Sequence, residues 1–254
     1  MFDLERGVPA WGVTYRPIFG VPLEGRYLAA GWTSHLLLTE PDGTQQKIDF
    51  FGKPPRVPQV ETEADDPDYA TRHVVALMKR TDRDRDWQVV FGCGVQMLER
   101  QDWRGILHLQ EPDWIVNAWT IIPPETRTEF QRLRPLLKSV EPRPEQLRRL
   151  LLIERSLWEA VNRTRYHPFE RVWKEFYRRW KASPGWQWPF DAPFSSQHHT
   201  LSTACHLFNL PANPLADKSR SELLREAQAD VVERTAATGD ELDAVTPPLD
   251  VLYP

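Results

Sequence analysis

Apolar positions divide this chain into a strand-like beginning and a long helical middle. Leu36 to Leu38 form a short apolar run, and Ile48, Phe50 and Phe51 resume a β-type pattern after Pro41-Asp42-Gly43. This predicts two strands. The turn between them follows from its residues, since proline presets φ and glycine accepts a positive one. Val89 to Leu98 and Gly105 to Leu109 read as strands, and Trp114 to Ile122 is a third apolar run, ended by Pro123-Pro124. Residues 125 to 182 change period. Phe130, Leu133, Leu136 and Leu137 fall near helical spacing, and Leu147, Leu150, Leu151, Leu157, Trp158 and Val161 follow a helix start at Pro144. Pro168 reads as the start of another helix, carrying Phe169, Val172, Trp173, Phe176, Tyr177 and Trp180 on one face. Its opposite face holds Arg171, Lys174, Arg178, Arg179 and Lys181. That face reads as a solvated one over packed aromatics, or as a docking surface for an acidic partner or anionic lipid.

The joints are equally legible. Residues 53 to 68 form a linker, Lys-Pro-Pro-Arg-Val-Pro and then an acidic run from Glu61 to Asp68. Asp65-Asp66-Pro67-Asp68 is a helix start for Ala70, Val74, Val75, Leu77 and Met78. Ser219 to Glu222 fits a capping box ahead of Leu223, Leu224, Ala227 and Val231. Ala236 to Pro254 is acidic and punctuated by proline, so no regular structure is expected there. The expected fold is α+β. A small antiparallel sheet packs on a cysteine-bearing helix within a single domain, residues 1–218, with a helical insertion over about 125–182. Residues 219–254 add a C-terminal helix and tail.

The 254 residues suffice for one large domain or two small ones. No apolar run reaches the roughly 18 residues a membrane helix needs, so no transmembrane segment is expected. The start, Met-Phe-Asp-Leu-Glu-Arg, lacks the basic-then-apolar order of a secretory signal. Two cysteines far apart make no disulfide framework. Cytoplasmic synthesis with reduced thiols is expected. The net charge of −4 gives no electrostatic case for nucleic acid.

Two stretches carry candidate chemistry. His35 heads a strand in Gly31-Trp-Thr-Ser-His-Leu-Leu-Leu-Thr. Backbone ladders on both sides would give it the rigidity a general base needs; the alternative is a hydrogen-bonded strand histidine. Ser195 to Asn209 reads as a polar loop feeding a helix, with Thr200, Ser202 or Thr203 as cap and Cys205 in the first turn. There the helix dipole favours a thiolate nucleophile; the alternative is a small, inert, packed thiol. Cys93, in a hydrophobic run between Gly92 and Gly94, reads as buried and structural. His198, His199, His206 and Cys205 fit no closed metal motif, so no metal or other cofactor is expected.

Arg16-Pro17-Ile18, Gly20, Pro22, His35-Leu-Leu-Leu-Thr39 and Asp42-Gly43, followed much later by Ala204-Cys205-His206-Leu207-Phe208, resemble the circularly permuted papain-like hydrolases. These are relatives of NlpC/P60 peptidases and LRAT-like acyltransferases, several of them bacterial toxin or effector domains. The resemblance implies Cys205 as nucleophile and His35 as its base. Asp49 on the return strand would orient the histidine, with Gln46 as the other choice. Gln197 or His198 would complete an oxyanion hole with the Cys205 N–H. It further implies cleavage of an amide or ester through a thioester, on a peptide, lipid or protein substrate. Export by a specialised secretion system and a cognate immunity or adaptor protein would fit an effector. The alternative is that this chain is itself a non-catalytic immunity or adaptor protein, binding a protein partner through its Trp-rich helical surface.

Overall fold

The computed structural model describes residues 12–52 and 57–254. Strands β1 (Gly12–Gly20), β2 (Thr33–Thr39) and β3 (Gln45–Phe51) form an antiparallel sheet in the order β1-β2-β3, with a short helix α1 (Gly25–Ala29) between the first two. Helices follow: α2 (Arg72–Met78), α3 (Asp84–Glu99), α4 (Pro112–Ile121), α5 (Pro124–Leu133) and α6 (Leu147–Lys181). The last are α7 (Phe194–Leu207), α8 (Arg220–Thr235), α9 (Gly239–Val245) and α10 (Leu249–Leu252). The fold is α+β, a small antiparallel sheet with a long helical stretch.

The described residues group into two units, 12–52 with 167–217 and 57–166 with 218–254. Residues 125–166 and 219–254 fall in the second unit, and 167–182 fall in the first. The boundary at Tyr166 and His167 lies beside Pro168. A new helix was expected to start at this proline, yet α6 runs through it. Proline donates no backbone hydrogen bond. Burial of Val161 before it and of Phe169 and Trp173 after it offsets that loss.

The expected strand over Val89–Leu98 is helix α3, and Gly105–Leu109 lies mostly in a 3-10 turn, Trp103–Leu107. Trp114–Ile122 is helix α4 and its cap. An apolar run read without its flanks does not tell strand from buried helix. The α3 period emerges once Asp86, Trp87, Val90, Gly94 and Met97 are taken together as its buried face. Gly94 and Gly105 let that helix meet the turn backbone to backbone. A Cβ on Gly105 would collide with the Gly94 carbonyl oxygen. Helix α2 starts at Arg72 behind a Thr71 cap, later than the acidic Asp65 to Asp68 segment suggested. The Ser219 capping box forms as expected. The C-terminal segment, expected to lack regular structure, carries α9 behind a second capping box from Thr238 to Glu241, then α10. Buried Leu242, Val245, Leu252 and Tyr253 supply the apolar anchors that a count of acids and prolines overlooks.

Several polar side chains buried in the second unit are paired. Arg134 and Glu154 form a bidentate pair at 2.9 and 2.6 Å, with Arg134 also donating to the Ile106 carbonyl. His108 is fully buried, with Nδ1 3.2 Å from an Arg80 nitrogen and Nε2 2.9 Å from His73 Nδ1. Arg80 has only protons to offer, so His108 Nδ1 accepts and Nε2–H donates to His73. Both rings are therefore neutral. Burial, aided by nearby Arg104 and Arg80, lowers His73 to about 4, and burial lowers His108 well below the ordinary histidine value. The folded pKa values lie below the unfolded value of roughly 6.5, so the unfolded chain takes up these protons first. Stability is then flat above that value and falls as pH drops from there toward 4. The expected slope is roughly 1 kcal/mol per pH unit for each histidine. Urea midpoints that do not move between neutral pH and pH 5 would remove this account of the cluster.

In the first unit, Val13, Tyr15, Leu36 and Leu38 from one sheet face pack with Trp173, Phe176 and Trp180 of α6 and Leu201, Ala204 and Cys205 of α7. Trp32 meets Phe169 and Trp173 edge-on, and its Nε1–H donates to the Ala212 carbonyl. The tryptophans of α6 are thus core residues rather than the binding surface that their number suggested. Trp173→Ala should cost about 3–5 kcal/mol in chemical denaturation. A near-wild-type midpoint would show that this side chain does not belong to the core.

Candidate functional site

The hairpin positions its side chains by alternation. Along β2, Ser34, Leu36 and Leu38 are buried, while Thr33, His35, Leu37 and Thr39 are less so. Successive strand residues point to opposite faces. His35 therefore projects from the face opposite Leu36, Leu38 and the core that contains Cys205. Asp49 lies directly across from it in the β2–β3 register. His35 Nδ1 is 2.6 Å from Asp49 Oδ1, which also accepts from Arg16 at 2.9 Å. A carboxylate only accepts, so the proton between the two groups sits on His35 Nδ1. Gly20 makes room for the ring. Its φ is +105°, and a Cβ there would stand 2.6 Å from His35 Cδ2 and from the Thr33 carbonyl oxygen. The His35–Asp49 pair is the part of the expected site that the structure brings together. Gln46, the other choice for orienting the histidine, instead bonds Glu40.

Cys205 is placed differently. The expected cap at Thr200, Ser202 or Thr203 does not exist, because α7 begins at Phe194 behind Pro193. Cys205 consequently lies in the last turn, where the dipole opposes a thiolate. It is 1% exposed. Burial pushes its thiol up to about 12, with Tyr27 beside it. Phe194-Ser-Ser-Gln-His-His reads as a loop by composition, yet Gln197 and Leu201 continue one buried face into Ala204 and Cys205. Cys93 is half-buried in α3, and burial raises its thiol as well.

The two residues assigned to an oxyanion hole have other partners. Gln197 is fully buried; its Oε1 accepts the Tyr15 N–H at 2.9 Å and its Nε2 donates to the Phe190 and Ala192 carbonyls. The Tyr15 hydroxyl accepts from the Leu23 N–H at 2.9 Å, leaving its proton for His198 Nδ1 at 2.7 Å. Burial lowers the pKa of His198. The interaction that composition did not disclose is Arg16 on Asp49, although Arg16 opens the Arg-Pro-Ile run. Among the described residues, no group of three or more His, Cys, Asp or Glu side chains is placed to hold a metal ion. No described helix is long and apolar enough to cross a membrane.

No family model, curated protein or solved structure matches this chain. His35 and Asp49 form a hydrogen-bonded pair on the outer sheet face, and Cys205 is a core thiol on the inner one. At neutral pH, iodoacetamide should leave Cys205 unmodified until the protein unfolds, and His35→Ala should not change that. Rapid labelling of Cys205 near pH 6, located by peptide mapping, would restore it as a nucleophile.

Proposed function

We propose that this chain is a non-catalytic binding protein of adaptor or immunity type. The observation that carries this reading is the separation of the two groups that thiol catalysis requires. A general base must reach the proton it takes, directly or through one water. The face occupied by His35 and the core occupied by Cys205 lie on opposite sides of the sheet, and the thiol is held neutral by burial. The exposed side of α6 supports the binding role. Arg171, Lys174, Arg178 and Arg179 stand in solvent above a helix whose tryptophans are committed to the core. A folded domain that keeps a cationic face over an apolar one is suited to electrostatically steered association.

The 2.6 Å pair of His35 and Asp49 favours a second reading, a thiol-independent hydrolase in which His35 takes a proton from water. The discriminating measurement is hydrolysis of activated acyl esters and amides by the wild type, Cys205→Ser and His35→Ala. The binding reading expects all three to match the buffer blank. Turnover lost in His35→Ala alone would select the second reading, and turnover lost in both variants would return the thiol route.

A further inference from the structure

We infer that the groove between the second half of α6 and the segment following α7 is the docking site for an acidic amphipathic helix of a partner protein. This rests on the binding-protein reading above. The groove encloses about 450 Å³. Its floor is apolar, with Val172 and Phe176 from α6 facing Phe208 and Leu210. Arg171 and Arg179 stand at its rim, and the Arg179 guanidinium lies over the Phe208 ring, 5.8 Å from its centroid.

Charge is the feature that identifies the occupant. The two carboxylates on this stretch of helix are already engaged, Glu170 with Lys174 at 2.6 Å and Glu175 with Arg178 at 2.8 Å. Among the described residues, no carboxylate forms a salt bridge with Arg171 or Arg179. Two cations outside these ion pairs therefore flank an apolar trough, with Glu175 also acting on Arg179 through space. Their separation along α6 is eight residues, about 12 Å at the helical rise. A helix of two to three turns spans that distance. Apolar side chains at i, i+4 and i+7 would enter the trough, and Asp or Glu on its flanks would meet the arginines. A flat anionic membrane fits less well, because it would not fill a concave trough. The net charge of −4 argues against nucleic acid.

The test uses the full chain and synthetic helical peptides of about four turns. They share one Leu/Phe stripe and carry Glu, Lys or Gln on the flanks. Fluorescence anisotropy should show the Glu peptide binding at least about tenfold tighter than the other two, with the preference shrinking as salt rises. Arg171→Glu with Arg179→Glu should abolish that preference, whereas Arg148→Glu, in the other unit, should leave it intact. Circular dichroism checks that each variant is folded. Hydrogen exchange should slow over residues 172–176 and 208–211 when the Glu peptide is bound. Equal binding of all three peptides, or retention of the preference in the double variant, would overturn the proposal. So would binding of phosphatidylserine vesicles that the double variant loses while the Glu peptide stays unbound, which would make the groove a lipid site. Those failures leave the binding-protein reading standing. That reading fails separately, if His35-dependent turnover or Cys205 acylation is found.

Discussion

The first unit depends on one buried amide. Tyr15 belongs to an edge strand, and its N–H is not taken by a neighbouring strand; it is accepted by Gln197 of α7. The same side chain donates to the Phe190 and Ala192 carbonyls, in the connection that leads into α7. An unmade hydrogen bond at full burial would cost about 1–3 kcal/mol. Gln197 thus ties three backbone groups together at a position with no solvent to replace it. This clamp closes the edge of β1 and sets α7 against the inner sheet face.

The setting of α7 has a chemical consequence. With Gln197 turned to the sheet, Leu201, Ala204 and Cys205 follow on the same buried side. The thiol is then enclosed by the apolar cluster and by Tyr27. On the other sheet face the chemistry is the reverse. His35 has a carboxylate to hold its Nδ1 proton, and that carboxylate has an arginine. A strand with alternating burial cannot direct neighbouring side chains to one face. The residue type at each position therefore matters less than the parity of its place in the strand. Ser34, next to His35, is buried and donates to the Val21 carbonyl at 2.6 Å.

The second unit is organised by paired polar groups inside helices rather than by a sheet. Arg134 with Glu154, and Arg80 with His108 and His73, sit among leucines and Trp158, over whose ring the Arg80 guanidinium lies at 4.5 Å. Each group has a defined partner, which is what a low-dielectric interior demands of buried charge. Glycine does comparable work on the backbone. Without a Cβ at Gly94 and Gly105, α3 and the 3-10 turn approach closely enough to bury His108 between them.

Local chemistry alone determined much of this chain. The β2–β3 hairpin was legible in Pro41-Asp42-Gly43 and the flanking apolar residues, and its register put Asp49 opposite His35 as expected. The helical period from Phe130 onward and the Ser219 capping box were equally plain, because both depend on neighbours a few residues apart. What the tertiary structure decided were the questions of side and of boundary. Val89 to Leu98 became helix because its buried face packs on α2 and the 3-10 turn. Pro168 became a helix interior because burial on both sides outweighed one lost hydrogen bond. Cys205 became a core residue because the Gln197 clamp, built from groups 182 residues apart, fixed where α7 begins and which face it turns inward. No periodicity in the sequence encodes a contact of that range.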